Sequence, residues 1–296
     1  MKTKTLVLLI VSVCINIQSQ NITNTLGVSG LFTVKDGGST FLSLNQSTGF
    51  LSLNRSFTLP YTTTSLLGII FKGNERFIHN FAPAGATGHN TFIGVNSGNF
   101  SMTAPGSTNS SYNTGVGFQT LLGNTTGYRN TAVGYNSLSI NTSGYDNIAM
   151  GYFSQRQNTT GTNNNSFGNF TLQANSTGSY NSAFGDNCLR LITSGDSNSA
   201  FGHNAMQIIN IGSGNSSFGN SSMKSLTGGT HNSAFGVQSM YLSTAVDECS
   251  AFGYQSMYSN TGFFSSAFGF KSLFSNTTGW YGSAFGFKTL ESNTTG

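Results

Sequence analysis

Apolar and polar residues alternate along this chain in a pattern that recurs at every seventeenth position from about residue 113 to the end. Each copy holds a short β-forming stretch that ends in glycine, a polar segment around one leucine or methionine, and a polar turn that ends in a second glycine. One copy reads NTAVGYNSLSINTSGYD over residues 130–146. A short repeat kept in register over so many copies is typical of a solenoid, in which each copy forms one coil.

The first glycine of each copy sets the register, and we call these residues the strand-end glycines. The interval between them is constant except for the step from Gly253 to Gly269, which is shorter by a single position. They are Gly117, Gly134, Gly151, Gly168, Gly185, Gly202, Gly219, Gly236, Gly253, Gly269 and Gly286.

A second column holds the turn glycines, in which Val246 is the one break. Because glycine adopts φ > 0 at no steric cost, we expect left-handed backbone at these turns. The turn glycines are Gly127, Gly144, Gly161, Gly178, Gly195, Gly212, Gly229, Gly262, Gly279 and Gly296.

Two apolar columns predict the core. The residue before the strand-end glycine is valine or methionine in the first copies and phenylalanine later, as at Phe184, Phe201 and Phe235, and we expect it to be buried. A leucine or methionine lies four residues after the glycine, with Gln155 as the exception. Periodicity does not decide between a strand and a helical turn for that segment. One copy buries too little apolar surface to offset its ordering, so the copies must stack. We therefore predict an all-β fold, a β-solenoid or β-roll of 17-residue coils.

A column of asparagines supports this stacking. It is replaced in the last copies by Cys249, Ser265 and Gly282. Stacked asparagine side chains can bond to one another from layer to layer, so we predict an asparagine ladder with a structural role. The asparagine column is Asn113, Asn130, Asn147, Asn164, Asn181, Asn198, Asn215 and Asn232.

The chain before the regular repeats has a different sequence pattern. Residues 1–19 combine a charged start with a short apolar run and predict a secretory signal peptide. Residues 20–88 form a β-rich leader region, with strands expected at 30–34, 40–44 and 49–54 and a hairpin of 66–71 with 77–81. Residues 89–112 form an irregular first repeat that caps the series. The regular repeats fill 113–296, and because the sequence stops within a copy we expect a longer chain.

Composition narrows the class of function. Charged residues make up 7 % of the chain, and its net charge of +4 comes without a basic cluster, so we expect no nucleic-acid partner. No stretch after the signal is apolar enough for a membrane span, so we expect no integral membrane segment. Cys188 and Cys249 stand in different columns and predict two buried or half-buried thiols, with an intermolecular disulfide as the minor alternative.

Catalytic chemistry has little support. No acid pair recurs at the repeat interval, and no metal, nucleophile or phosphate-loop motif is present, so we expect no catalytic residue, metal or cofactor and no enzyme. The rival interpretation is a tail-spike-like glycan hydrolase, which would need two carboxylates such as Asp186 and Asp196.

Two surface features remain. Aromatic residues follow several strand-end glycines and could contact carbohydrate or a neighbouring chain, with packing between coils as an equal alternative: Tyr135, Tyr152, Tyr254, Phe270 and Phe287. Glycosylation sequons are numerous, but the same residues also form turns, and we favour the turn role. They include Asn21, Asn45, Asn54, Asn99, Asn124, Asn141, Asn158 and Asn175.

The copies at 130–138 and 232–240, NTAVGYNSL and NSAFGVQSM, resemble two related groups. One is the head repeat of trimeric autotransporter adhesins of the YadA type. The better match is the repeat shaft of bacterial tail-fibre-domain proteins that end in an endosialidase-type chaperone, because its copies also carry Asn-Thr-Thr-Gly. This resemblance covers residues 89–296 and implies a secreted homotrimeric fibre used for attachment. The period of this chain is longer than that of the adhesin repeat.

We therefore expect a secreted, extracellular or cell-surface fibre with a structural or adhesive role. Its partners would be its own copies, in a homotrimer or filament, and a carbohydrate or host-surface receptor. The alternatives are a self-assembling extracellular filament or sheath and, less favoured, the glycan-processing enzyme.

Overall fold

The computed structural model describes residues 31–36, 39–45, 50–53 and 68–294. The chain divides into two compact units, residues 1–58 and residues 59–296. The predicted signal peptide and the leader turns at 37–38 and 46–49 lie outside the described residues. Among the described residues, none belongs to a helix long and apolar enough to cross a membrane.

The first unit contains the three strands predicted for the leader. Strands β1 (Leu31–Asp36), β2 (Ser39–Asn45) and β3 (Phe50–Leu53) form an antiparallel sheet in the order β1-β2-β3. The pairing of β1 with β2 shifts register between Val34 and Lys35.

The second unit is a β-solenoid. Its single sheet runs without interruption from β4 to β17 in chain order. The first two strands, β4 (Ile70–Lys72) and β5 (Glu75–His79), form the predicted hairpin, and β5 pairs antiparallel with β6 (Thr91–Ile93). The hairpin therefore ends the solenoid sheet, although its sequence lies in the predicted leader.

From β6 onward every strand pairs in parallel with the next, one strand per coil and in the register of the repeat. The regular strands are β7 (Thr114–Val116), β8 (Thr131–Val133), β9 (Ile148–Met150), β10 (Asn165–Phe167), β11 (Ser182–Phe184), β12 (Ser199–Phe201), β13 (Ser216–Phe218), β14 (Ser233–Phe235), β15 (Ser250–Phe252), β16 (Ser266–Phe268) and β17 (Ser283–Phe285).

The middle residue of each strand points into the core, and its neighbours point outward. Ala183 and Ala200 are fully buried, whereas Phe184 and Phe201 are half-buried on the outer face. The prediction that these phenylalanines fill the core is wrong. Side chains alternate along a strand, so only one residue of a three-residue strand can face inward. The core instead combines that small residue with the leucine or methionine, which is fully buried at Leu189 and Met206.

The two glycine columns exist for different reasons. The strand-end glycines have φ between 121° and 138°, a conformation that side chains rarely adopt. Of the turn glycines that the structure describes, only Gly229 has a positive φ, so the prediction of left-handed turns there is wrong. A Cβ atom at Gly144 would instead overlap the carbonyl oxygen of Gly161 and would lie 2.7 Å from Nδ2 of Asn158. Close approach of the next coil selects glycine at these turns.

The leucine and methionine column lies in a tight turn, neither strand nor helix. Leu138, Leu189 and Met206 have φ of 49°, 49° and 47°. Left-handed backbone costs roughly 1–2 kcal/mol for such residues. Their complete burial is worth about as much, so each coil keeps this conformation.

The asparagine ladder is confirmed, with every hydrogen-bonding site of an interior member in use. In the third regular coil, Asn147 Nδ2 donates to Asn130 Oδ1 at 3.1 Å and to Gly161 O at 2.9 Å. Its Oδ1 accepts from the backbone N–H and from Nδ2 of Asn164, at 3.0 and 3.2 Å. The ladder ends where Cys249 still donates its backbone N–H to Asn232 Oδ1 at 3.0 Å.

A second asparagine ladder was not predicted. Asn141 Nδ2 donates to Asn124 Oδ1 at 2.8 Å, and Asn158 repeats the bond to Asn141 at 2.9 Å. The ladder is interrupted after Asn175, because the next coil has Ile192 in this column, and it resumes from Asn260 to Asn276 and Asn293. Asn175 Oδ1 is therefore buried with no hydrogen-bond partner.

Both predicted thiols are free and buried. Burial raises the pKa of the Cys188 thiol to about 12, and it also raises that of Cys249. The Cys188 thiol donates to Ala200 O at 3.2 Å. The two cysteines therefore serve as small core residues.

A buried histidine organises the end of the solenoid beside the hairpin. His79 Nε2 donates to Ser97 O at 2.7 Å, and its Nδ1 accepts from the backbone N–H of Phe81 at 3.3 Å. The imidazole packs against Phe92 and Phe100, with ring centroids 4.9 and 4.6 Å away. Burial, with a smaller contribution from the Arg76 cation, lowers the pKa of His79 to about 4. Both nitrogens are thus matched to the neutral ring.

The interior of the asparagine ladder should contribute measurably to stability. Replacing Asn164 with alanine leaves two donors of Asn181 and the acceptors Asn147 Oδ1 and Gly178 O short of a partner. We expect a loss of about 2–4 kcal/mol in the free energy of unfolding, measured by urea denaturation of the full chain. Asn220→Ala, at an exposed asparagine that accepts one bond from Ser221, should change it little. Equal losses in the two variants would contradict a special role for the ladder.

The buried histidine predicts a pH dependence. The unfolded chain keeps the ordinary histidine pKa of 6.5, so between that pH and about 4 it binds more protons than the folded chain. The stability contributed by His79 is therefore complete above pH 6.5 and falls as the pH drops towards 4. The stability advantage of the natural chain over His79→Gln should shrink in this window, as measured by thermal unfolding. His203→Gln removes an exposed ring, so the stability difference between the natural chain and this variant should not shrink over the same pH range.

Candidate interaction surfaces

The irregular positions of the repeat lie in the interior. Gln155, Val246 and Cys249 are all fully buried. Gln155 Nε2 donates to Ile148 O at 2.8 Å and to Ser166 Oγ at 2.9 Å, while its Oε1 has no partner. Ser166 takes the place of the core alanine in the next coil. These substitutions adjust the core and form no surface site.

The two aspartates of the rival hydrolase interpretation both accept backbone hydrogen bonds. Asp186 Oδ1 accepts from the N–H of Asn169 at 2.7 Å, and Asp196 Oδ1 accepts from the N–H of Ser179 at 2.6 Å. Each carboxylate therefore joins its own coil to the previous one. This structural role explains both residues.

Four sequon asparagines belong to the second ladder. Asn124, Asn141, Asn158 and Asn175 are fully buried, and each Nδ2 donates to the carbonyl of the turn glycine three residues later, at 2.9 to 3.0 Å. The preference for a turn role is confirmed for these four. The side chains of Asn21, Asn45 and Asn54 lie outside the described residues.

The outer face of the sheet carries a continuous stack of phenylalanines, which we call the phenylalanine row. Neighbouring ring centroids are 4.6 to 4.9 Å apart, and the ring planes differ by 3° to 9°. The row contains Phe167, Phe184, Phe201, Phe218, Phe235, Phe252, Phe268 and Phe285.

A row of small or uncharged residues borders the phenylalanine row. From β7 to β17, the first residue of each strand is serine or threonine except at Ile148 and Asn165. Neither outward position of these strands carries a charge in any coil. The strands step by ~4.8 Å, so this uncharged face extends for roughly 50 Å.

The aromatic residues predicted as contacts lie at the surface, in two separate stacks. Phe118, which is not among the predicted residues, begins the first stack, and Asn169 interrupts the column after Tyr152. In both stacks the ring centroids are 5.1 to 5.3 Å apart. Of the predicted residues, Tyr135 and Tyr152 join the first stack and Tyr254, Phe270 and Phe287 form the second, all of them exposed.

The stacking decides which part of these rings a partner can reach. Neighbouring planes differ by only 10° to 18°, so the faces inside each stack cover one another. The surface presents ring edges, and a sugar needs a free ring face to stack on. These stacks are therefore better suited to packing against protein than to sugar stacking.

Comparison with known protein families, with curated proteins and with solved structures found no match to this chain.

The unpartnered oxygen of Gln155 predicts that leucine, a usual residue of this column, would make the folded chain more stable. Gln155→Leu removes the unpartnered Oε1, while Ile148 O still accepts from Ser166 Oγ and Asn164 O from the N–H of Ile148. We expect the free energy of unfolding to rise by about 1–2 kcal/mol, measured by urea denaturation. Gln157→Leu, at an exposed position of the same coil, should leave it unchanged. A destabilised Gln155→Leu chain would contradict this account.

Proposed function

We propose that this chain is the shaft of a secreted fibre on a cell surface, with a structural or adhesive role. The observation that carries the proposal is the difference between inward and outward positions within each coil. Inward positions repeat the same few residues, whereas outward positions away from the short strands change from coil to coil, as at Tyr152, Asp186 and His203 in one row. Such an architecture gives length and a long surface from a simple rule.

Self-association is the second part of the proposal. The phenylalanine row and its bordering serines form an uncharged face, so two copies meet no like-charge repulsion there. Aromatic edges at Tyr254 and Phe270 add further apolar surface. We propose a homotrimer, with an open-ended filament as the alternative, because the same uncharged face supports both.

Solution mass separates these assemblies. Light scattering on the mature chain, residues 20–296, should give about three times the mass of one chain. Replacing Phe201 and Phe218 with serine, the residue that borders the row, should lower that mass towards one chain. Continuous filaments in electron micrographs would favour the open-ended filament over the homotrimer. A monomer at all concentrations would contradict both.

The location of the protein tests the proposed secretion and cell-surface role. Antibodies against residues 113–296 should label intact cells of the native organism, and mass spectrometry should find the mature start near Gln20. Cells that lack the chain should attach less to their usual surface. A product confined to the cell interior would contradict the proposal.

A further inference from the structure

A row of half-buried cations lies outside the faces used in the proposed self-association. We call it the basic row: Arg156, Gln173, Arg190, Gln207 and Lys224, which stand five residues after successive strand-end glycines. Backbone bonds beside the row confirm the stacking, since Ala174 N donates to Arg190 O at 3.0 Å and Ile208 N donates to Lys224 O at 3.2 Å.

The three cations are held by neutral neighbours. The Arg156 guanidinium lies over the Phe153 ring at 4.9 Å, and that of Arg190 lies over the Phe170 ring at 5.0 Å. Arg190 Nε also donates to Gln173 Oε1 at 3.1 Å. Lys224 Nζ lies 5.6 Å from the centre of the Tyr241 ring.

None of these cations has a carboxylate partner in the described part of the chain, where the ion pairs are Arg129–Asp146 and Lys288–Glu291. Arg156 Nε is buried and has no hydrogen-bond partner. Aromatic contacts fix the position of each side chain without neutralising its charge. All three side chains are half-buried, so three positive charges are held in line and partly exposed to solvent.

The spacing indicates a linear partner. Cations recur at every second coil, about 9.6 Å apart for a step of ~4.8 Å. The glutamines between them offer amide donors and acceptors of the kind that bind hydroxyl groups. A chain that alternates negative charges with hydroxyl groups along its length would match both.

A second copy of this protein fits the row less well. Asp196 and Asp247 share a column but stand three coils apart, and Asp146 lies in the neighbouring column, so no column of the described residues offers carboxylates at every second coil to match the cations. These carboxylates are also occupied: Asp146 by Arg129, Asp196 by the N–H of Ser179, and Asp247 by the N–H of Thr230 at 2.6 Å.

We propose that the basic row binds an anionic polysaccharide, carboxylated or sulfated, lying along the solenoid axis. This inference rests on the proposed attachment function and names its ligand class. The ligand contacts the row through charge and hydrogen bonds, so it does not need the free ring faces that the aromatic stacks lack.

The test is binding of the full chain to polygalacturonate, heparin and neutral dextran, by surface plasmon resonance at several salt concentrations. We expect binding to one or both anionic chains that weakens with salt, and none to dextran. The preference between polygalacturonate and heparin assigns carboxylate or sulfate as the recognised group.

The decisive variant replaces Arg156, Arg190 and Lys224 with glutamine, the residue that the row itself carries at Gln173 and Gln207. It should fold normally and lose about tenfold or more in affinity. The control replaces Lys72, Lys271 and Lys288 with glutamine, which removes the same charge elsewhere, and should retain affinity within about twofold.

Two results would overturn the inference. Equal losses in both triple variants would assign binding to overall charge. Lack of binding to either anionic chain, with self-association lost in the Arg156/Arg190/Lys224 variant, would assign the row to a second copy. Neither result bears on surface labelling of cells, so the proposed function stands or fails separately.

Discussion

The structure depends on one constraint: each side chain lies ~4.8 Å from the side chain at the same position of the next coil. A residue type is therefore favoured when it binds its own kind. Asparagine does so because its amide is both donor and acceptor, and phenylalanine does so by stacking, at 4.7 Å between Phe184 and Phe201. Charged residues repel their own kind, which agrees with a charged fraction of only 7 %.

The charges that remain follow the same constraint. Arg129 meets Asp146 in the next coil at 2.7 Å, so this column carries opposite signs. Arg156 and Arg190 are separated by Gln173, which accepts a hydrogen bond from Arg190. Spacing by two coils thus lowers repulsion within the row and also sets the spacing that a ligand would meet. The glutamines between the cations therefore let this row carry like charges with less repulsion between neighbouring coils.

Much of the fold could be predicted from the sequence because the repeat is strict. The coil length, the parallel stack, the leader strands and the asparagine ladder all follow from residues that recur in register. The orientation of Phe184 could not be predicted, because a three-residue strand has too few positions to reveal which face is buried. Nor could the left-handed turn at Leu138, since leucine rarely adopts φ near 49° and only its complete burial compensates for the strain. The basic row escaped notice because its residues are far apart in sequence and align only when the coils stack.

The breaks in the columns show how this architecture tolerates change. Ile192 interrupts the second ladder and leaves Asn175 Oδ1 without a partner, and Gln155 brings another unpartnered oxygen into the core. Each break costs stability within one or two coils, because a coil contacts only its neighbours. Outward positions meet weaker demands, so they can vary without disturbing the stack. A binding surface on such a shaft therefore evolves from outward rows, where sequence is free, rather than from the irregular coils, whose odd residues are buried.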